Sequence, residues 1–292
     1  MQAQRVQGLA FCAVAVAVAL FSPLLPEVHS TQALGTIAVL ILLLGVPHGA
    51  LDPIFAQRLH HIRRAREWLM FGLLYVLAAT LVVAAWYVAP GAFLIGFLLV
   101  SVAHFSGDLT PPTPPVTRLL YGGAIIVLPA ALHSGELLRL FAILVGADSA
   151  GMLTAMLQLL AWPWLGALLI AATAHARRDW LSALEIVAVS TLALIAAPLY
   201  AFAVFFCAMH AARHILRTAD YAGRRTGRRH LLMLALPPMV LTTAATIAIA
   251  LRIPSSSLDT GLVQIIFIGL AALTVPHMAL VERVRWRGWR TA

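Results

Sequence analysis

Residues 205–214 read Phe-Phe-Cys-Ala-Met-His-Ala-Ala-Arg-His, an apolar segment that carries two histidines, His210 and His214, four positions apart. On an α-helix this spacing stacks both imidazoles on one face, about one turn apart, so that both can reach one metal ion. Two similar elements lie upstream, at 47–52 (Pro-His-Gly-Ala-Leu-Asp) and 103–108 (Ala-His-Phe-Ser-Gly-Asp), and each puts a carboxylate four residues after a histidine. We expect these three pieces to meet inside one helical bundle and to hold one metal ion.

The composition of the 292-residue chain is that of a membrane protein. It is 62% hydrophobic and only 11% charged, whereas soluble domains carry about 25% charged residues. The net charge of +9 comes from 20 basic residues, and every one is an arginine. Because these arginines fall in short loops between apolar segments, they indicate membrane topology, and we expect no nucleic-acid partner. The sequence predicts an all-α, polytopic bundle in a lipid bilayer.

Apolar segments that approach the roughly 20 residues needed to cross a bilayer recur about ten times. We predict one integral membrane domain, residues 1–292, with spans at 7–25, 32–48, 68–88, 92–108, 118–133, 152–174, 181–197, 199–216, 231–250 and 260–282. The first run is interpreted as a retained helix, since no small-residue cleavage site follows it. A short amphipathic piece at 136–146 is expected on the surface.

The distribution of arginines predicts the orientation of the bundle. With the N-terminus inside, all of the 20 arginines except Arg139 and Arg252 fall on the inner side, with Arg213 and Arg217 counted as loop residues. Such a positive-inside bias favours an even number of spans, with both termini in the cytoplasm. We therefore expect a multi-pass protein of the cytoplasmic (inner) membrane. An interfacial anchor is predicted at Trp286 and Trp289.

Histidines on different spans share a predicted depth. His48, His104 and the pair His210 and His214 lie on spans two, four and eight, and a rise of about 1.5 Å per residue puts all of them in the inner half of the membrane. His277 lies on span ten at a similar depth, as a ligand or a near neighbour. Residues at one depth on several helices can converge, which is how bundle cores build metal sites. The alternative for a lone histidine is a hydrogen bond to a neighbouring helix.

Two carboxylates accompany these histidines. Asp52 and Asp108 each lie at the inner end of a span, and a metal-bound histidine usually donates its second ring proton to a carboxylate or a carbonyl. We favour this supporting role, while direct ligation and a capping charge near the interface stay open. Four imidazoles with little sulfur suit iron, zinc or copper, and they suit magnesium or calcium poorly.

These motifs resemble the Brp/Blh family of membrane β-carotene 15,15′-dioxygenases. The matching pieces, in order, are 47–52, His104-Phe105 with Asp108, 210–214, and Pro276-His277, and the similarity spans about residues 40–282. The resemblance implies an enzyme that splits β-carotene at its central double bond with O₂ into two retinal molecules, with a retinal-accepting opsin as a possible partner. It also implies Fe(2+) as cofactor, held by four histidines: His48, His104, His210 and His214.

Under this hypothesis the protein supplies coordination and an apolar tunnel, while the metal carries the chemistry. Candidate tunnel residues, for which ordinary packing is the alternative, are Phe105, Phe205, Phe206 and Met209. Three rivals stay open: a di-iron hydroxylase or desaturase, a membrane haem protein, and a transporter with a histidine proton relay. The single His-x-x-x-His motif disfavours the first, and one haem takes only one axial ligand per face, which disfavours the second. We see no inverted repeat to support the third.

Overall fold

The computed structural model describes residues 2–26, 30–109, 113–223 and 228–286, and within these ranges the chain is helical, with no strand. The α-helices are α1 (Gln2–Phe21), α2 (Thr31–Leu40), α3 (Asp52–His60), α4 (Ala65–Val88), α5 (Pro90–Phe105), α6 (Pro115–Val127), α7 (Pro129–Leu132), α8 (Ser134–Val145), α9 (Ala147–His175), α10 (Trp180–Ile195), α11 (Pro198–Val204), α12 (Ala212–Ala222), α13 (Arg228–Ala250) and α14 (Leu258–Trp286). Tighter 3₁₀ turns lie at Ser22–Leu24, Val46–Leu51 and Ser255–Ser257, and wider π-helical turns lie at Ile41–Gly45 and Phe205–Ala211. The predicted all-α architecture is confirmed.

Eight helical segments of the described chain are long and apolar enough to cross a membrane. They are Gln2–Leu24, Thr31–His60, Ala65–Val88, Pro115–Leu132, Ala147–His175, Pro198–Ala222, Arg229–Ala250 and Ser255–Arg285. The remaining two of the ten predicted spans coincide with α5 and α10, which are apolar but only 16 residues long each. The multi-pass membrane character is confirmed, whereas the placement of the termini stays a prediction.

Helix α4 shows how the bundle meets lipid. None of its 24 residues is buried, although nearly all of them are apolar. A helix that is hydrophobic all round belongs either in the core of a large protein or in a membrane. Since none of its residues is buried in the bundle, the apolar surface of α4 has the character of a helix in contact with lipid.

Two glycines allow the histidine-bearing segments to approach closely. A side chain on Gly122 of α6 would overlap the carbonyl oxygen of Val102, in the turn of α5 that precedes His104. A side chain on Gly45 would likewise overlap the ring of Phe206, so that the π-helical turns of the second and eighth spans can pack together. Because glycine lacks a Cβ atom, it permits both contacts.

Some sequence expectations need correction or lie outside the described residues. Arg213 and Arg217 are not loop residues, because both lie within α12 and are buried, with exposed fractions of 5% and 9%. The amphipathic piece expected on the surface at 136–146 is helix α8, whose apolar side is buried and which packs against α9. Of the predicted interfacial anchor, Trp289 and the side chain of Trp286 lie outside the described residues.

Candidate metal centre

Five histidines meet in the interior of the bundle. All are buried, with exposed fractions between 2% and 8%. The 3₁₀ turn Val46–Leu51 carries His48, the last turn of α5 carries His104, the π-helical turn Phe205–Ala211 carries His210, α12 carries His214, and α14 carries His277. Four stretches that are distant in sequence therefore contribute to one cluster.

The imidazole rings of this cluster are direct neighbours. The centres of the His104 and His210 rings are 4.5 Å apart, and His48 lies 5.1 Å from His210 and 5.6 Å from His214. His277 lies between 5.0 and 5.2 Å from His48, His104 and His214. Ligand nitrogens of His48, His104 and His277 all fall within 4.8 Å of one another. The structure thus brings the rings of the four predicted ligands together and places His277 among them.

Irregular helical turns place two of these side chains. Pro47 has no backbone N–H to donate to an α-helical ladder, and the chain passes from a π-helical turn into a 3₁₀ turn around it. His210 lies on the second π-helical turn, and such turns occur frequently at functional sites. The rings of His210 and His214 are nevertheless stacked, with centres 6.5 Å apart, as their four-residue spacing predicts.

Hydrogen bonds determine the tautomers of three histidines. The Nδ1 atom of His48 faces the carbonyl of Gly45, that of His210 faces Asp108 at 3.1 Å, and that of His277 faces Asp52 at 2.6 Å. Carbonyl and carboxylate oxygens only accept, so each Nδ1 carries the proton and donates it. In all three rings the lone pair is then on Nε2, the nitrogen left for a metal ion.

The two carboxylates are paired with histidines of other segments. Asp52 follows His48 by four residues but bonds His277, and Asp108 follows His104 but bonds His210. The reason is local, because a four-residue spacing shares a face only on a continuous α-helix. A 3₁₀ turn precedes Asp52, and Asp108 lies beyond the end of α5. This geometry agrees with a supporting role for both carboxylates.

The nitrogen atoms of the cluster fit a metal ion. Both ring nitrogens of His104 and the Nε2 atoms of His210 and His277 are buried and have no hydrogen-bond partner among the described residues. A buried polar atom without a partner costs about 1–3 kcal/mol, so several in one place need a common explanation. One metal ion would take one nitrogen from each of these three rings, and an all-imidazole donor set suits iron, zinc or copper.

Comparison with known proteins shows the family of this chain. Residues 39–285 match the family model for beta-carotene 15,15′-dioxygenase, a range that includes all five histidines and both carboxylates. The chain belongs to this family. It is 28% identical over 250 residues to the beta-carotene 15,15′-dioxygenase of an uncultured marine bacterium, 66A03, with 83% of this chain and 90% of that protein covered.

A second relative is the probable beta-carotene 15,15′-dioxygenase Blh of Halobacterium salinarum. It is 26% identical over 280 residues, with 81% of this chain and 80% of the relative covered. No solved structure matches the chain significantly. The expected family and the expected enzyme class, a carotenoid dioxygenase, are confirmed.

Sequence reasoning missed a buried ionic network beside the centre of this dioxygenase. Arg213, between the two histidines of the eighth span, forms two hydrogen bonds of 2.6 and 2.9 Å with Glu185 and one of 2.8 Å with Gln7. Arg217 donates to the backbone carbonyl of Asp108 at 2.5 Å. The network holds the segment whose carboxylate accepts a hydrogen bond from His210. The available signal was Glu185, a carboxylate within predicted span 181–197, because intramembrane charges are rare and costly.

The four predicted tunnel residues lie close to the histidines but in different surroundings. The ring of Phe105 is 4.9 Å from that of His210 and lines a small apolar cavity of about 60 Å³. Phe206 stacks on His210 with ring centres 5.8 Å apart. Phe205 and Met209 are completely buried in the core. Their role as a tunnel wall stays a prediction.

Proposed function

We propose that this protein cleaves β-carotene at its central 15,15′ double bond with O₂, and that it does so at Fe(2+) bound by His48, His104, His210 and His214, with His277 as a fifth donor. The observation that carries the proposal is the convergence of five buried histidines inside an apolar membrane bundle of this family, with buried nitrogens of His104, His210 and His277 that have no hydrogen-bond partner among the described residues. The products are two molecules of retinal.

The reaction balances without a further electron donor. The central C=C bond breaks, and each of its two carbons receives one oxygen atom of O₂ to become an aldehyde. The absence of an electron donor separates the proposed reaction from those of a hydroxylase or a desaturase, which need electrons from a partner. When bound, the iron supplies the activation of O₂.

The chain's own side chains position the donors and exclude water. Asp108 and Asp52 accept hydrogen bonds from the Nδ1–H groups of His210 and His277. These bonds orient both rings and make their Nε2 atoms stronger metal ligands. The burial of all five rings keeps water away from the reacting carbons. The substrate is delivered from the bilayer, which we propose to be the cytoplasmic (inner) membrane. The opsin that would accept retinal stays a prediction.

The test is expression in a bacterial host that accumulates β-carotene, followed by chromatography of extracted pigments and metal analysis of the purified protein. We expect two retinal molecules for each β-carotene consumed, with iron bound. His210→Ala and His277→Ala should each lose iron and activity. His175→Ala is the matched control, because His175 lies outside the cluster and bonds the backbone of its own helix.

Three results would contradict the proposal. Iron-loaded, folded protein that leaves β-carotene unchanged would exclude this substrate. Full cleavage by folded protein free of any metal would exclude a metal ion from the reaction. Zinc or copper in the active protein would reject iron while leaving the histidine site intact.

A further inference from the structure

A cavity of about 470 Å³ lies beside the histidine cluster. Its walls come from the 3₁₀ turn Val46–Leu51, the start of α3, and helices α4, α13 and α14, and they are mostly apolar. Small-molecule sites typically occupy about 300–1,000 Å³ and combine an apolar lining with a few polar groups. The size and lining of this cavity therefore suit an apolar organic molecule.

The polar end of the cavity is connected to the proposed metal donors. Asp52 and Tyr75 are both in its wall. The Tyr75 hydroxyl donates to Asp52 at 2.9 Å, and the other oxygen of Asp52 accepts from His277 at 2.6 Å. An occupant in contact with Asp52 is thus one side chain away from His277.

The outer end of the cavity opens on the lipid-facing surface. Wall residues of α4 and α13 are also among the most exposed apolar side chains of the bundle: Val76 is 55% exposed and Leu241 is 65% exposed. Pro237 and Pro238, also in the wall, remove two backbone donors from α13, and proline in a helix interior kinks or breaks the helix. The cavity therefore extends from exposed apolar side chains of α4 and α13 to Asp52.

We propose that this cavity binds one arm of the polyene substrate, which enters from the bilayer between α4 and α13. The inference rests on the proposed function and adds to it the place and the route of binding. Central cleavage puts the middle of the polyene at the histidines, so each arm must extend away from them along an apolar surface. The aromatic faces of Phe71 and Tyr75 in the cavity wall offer that surface to a conjugated chain.

Filling the cavity tests the proposal. Gly72 lies in its wall on α4, and a Cβ atom placed there has open space around it, so Gly72→Leu should extend into the cavity. The matched control is Gly96→Leu, because Gly96 is also helical, also has free space, and lies on the exposed side of α5. A second filling variant is Val76→Phe, at a wall position that is 55% exposed.

Binding is measured on purified, iron-loaded protein without O₂, as β-carotene that stays with the protein through size-exclusion chromatography. We expect both filling variants to lose at least tenfold in bound β-carotene and to raise KM in air, with the iron content and thermal midpoint of the parent. Gly96→Leu should behave like the parent.

The outcomes separate this inference from the proposed function. If the parent cleaves β-carotene and both filling variants bind and cleave it equally well, the cavity is not the binding site. If the iron-loaded parent neither binds nor cleaves β-carotene, the proposed function fails and this inference fails with it.

Discussion

Replacing Asp52 by asparagine should weaken iron binding without emptying the site. Asp52 is only 2% exposed, and its two oxygens accept hydrogen bonds from His277 at 2.6 Å and from Tyr75 at 2.9 Å. Asparagine keeps the size and one acceptor oxygen but removes the negative charge that polarises the imidazole of His277. The Nε2 atom of His277 then becomes a poorer donor to the metal.

The magnitude follows from the kind of hydrogen bond that is lost. A hydrogen bond to a charged group contributes about 1.5–3 kcal/mol, and a neutral one contributes about 0.5–1.5 kcal/mol. The difference of about 1–1.5 kcal/mol corresponds to a loss of about five- to tenfold in iron affinity. Asp52→Ala removes the bond to His277 entirely and should reach the 10–100-fold loss that is typical when such a partner is deleted.

The assay is competition for iron between a chelator and the purified protein in detergent. Asp148→Asn is the control, because Asp148 is exposed at the start of α9. Unchanged dissociation constants in both Asp52 variants would refute the supporting role. Loss of iron by Asp52→Asn as complete as that of His210→Ala would instead make Asp52 a direct ligand.

Three further predictions concern the stability of the protein: the buried ion pair, the contact between α5 and α6, and the bound iron. Glu185→Gln leaves the guanidinium of Arg213 buried without its counter-charge, so it should lower the free energy of unfolding by about 3–5 kcal/mol. The thermal midpoint in detergent should fall accordingly. An unchanged midpoint would contradict a structural role for the pair. Gly122→Ala places a methyl group against the carbonyl of Val102, so it should lower the thermal midpoint. Gly166→Ala is the control, because Gly166 has free space around it, and it should not change the midpoint. Equal midpoints of the two variants would disprove the close approach of α5 and α6. Removing iron with a chelator should also lower the thermal midpoint, because a ligand that binds only the folded state stabilises it. Adding iron back should restore the midpoint. A midpoint independent of iron would argue against a bound ion.

Much of the architecture could be predicted from local sequence. Each predicted span coincides with an apolar helix of the structure, because lipid satisfies no backbone hydrogen bonds and a spanning segment must form its own. Depth could be predicted in the same way, since residues at equal distances from the ends of spans lie at equal heights. That is why His48, His104, His210 and His214 could be expected to meet before their helices were placed.

The supporting contacts could not be predicted from spacing. Asp52 bonds the histidine of α14, and Asp108 bonds that of the eighth span, because irregular turns rotate both carboxylates away from the histidines nearest in sequence. The buried pair Arg213 and Glu185 was missed for a related reason. An arginine near the end of a span has the same local pattern whether it reaches the interface or pairs inside the bundle.

The sequence by itself therefore determined the membrane helices, the histidines at one depth, and, through its motifs, the family. Only the tertiary structure decided that His277 joins the cluster, which carboxylate bonds which imidazole, and where an apolar cavity lies against Asp52. The physical reason is that hydropathy and helical rise act along one segment, whereas rotation about each helix axis is set by packing between segments.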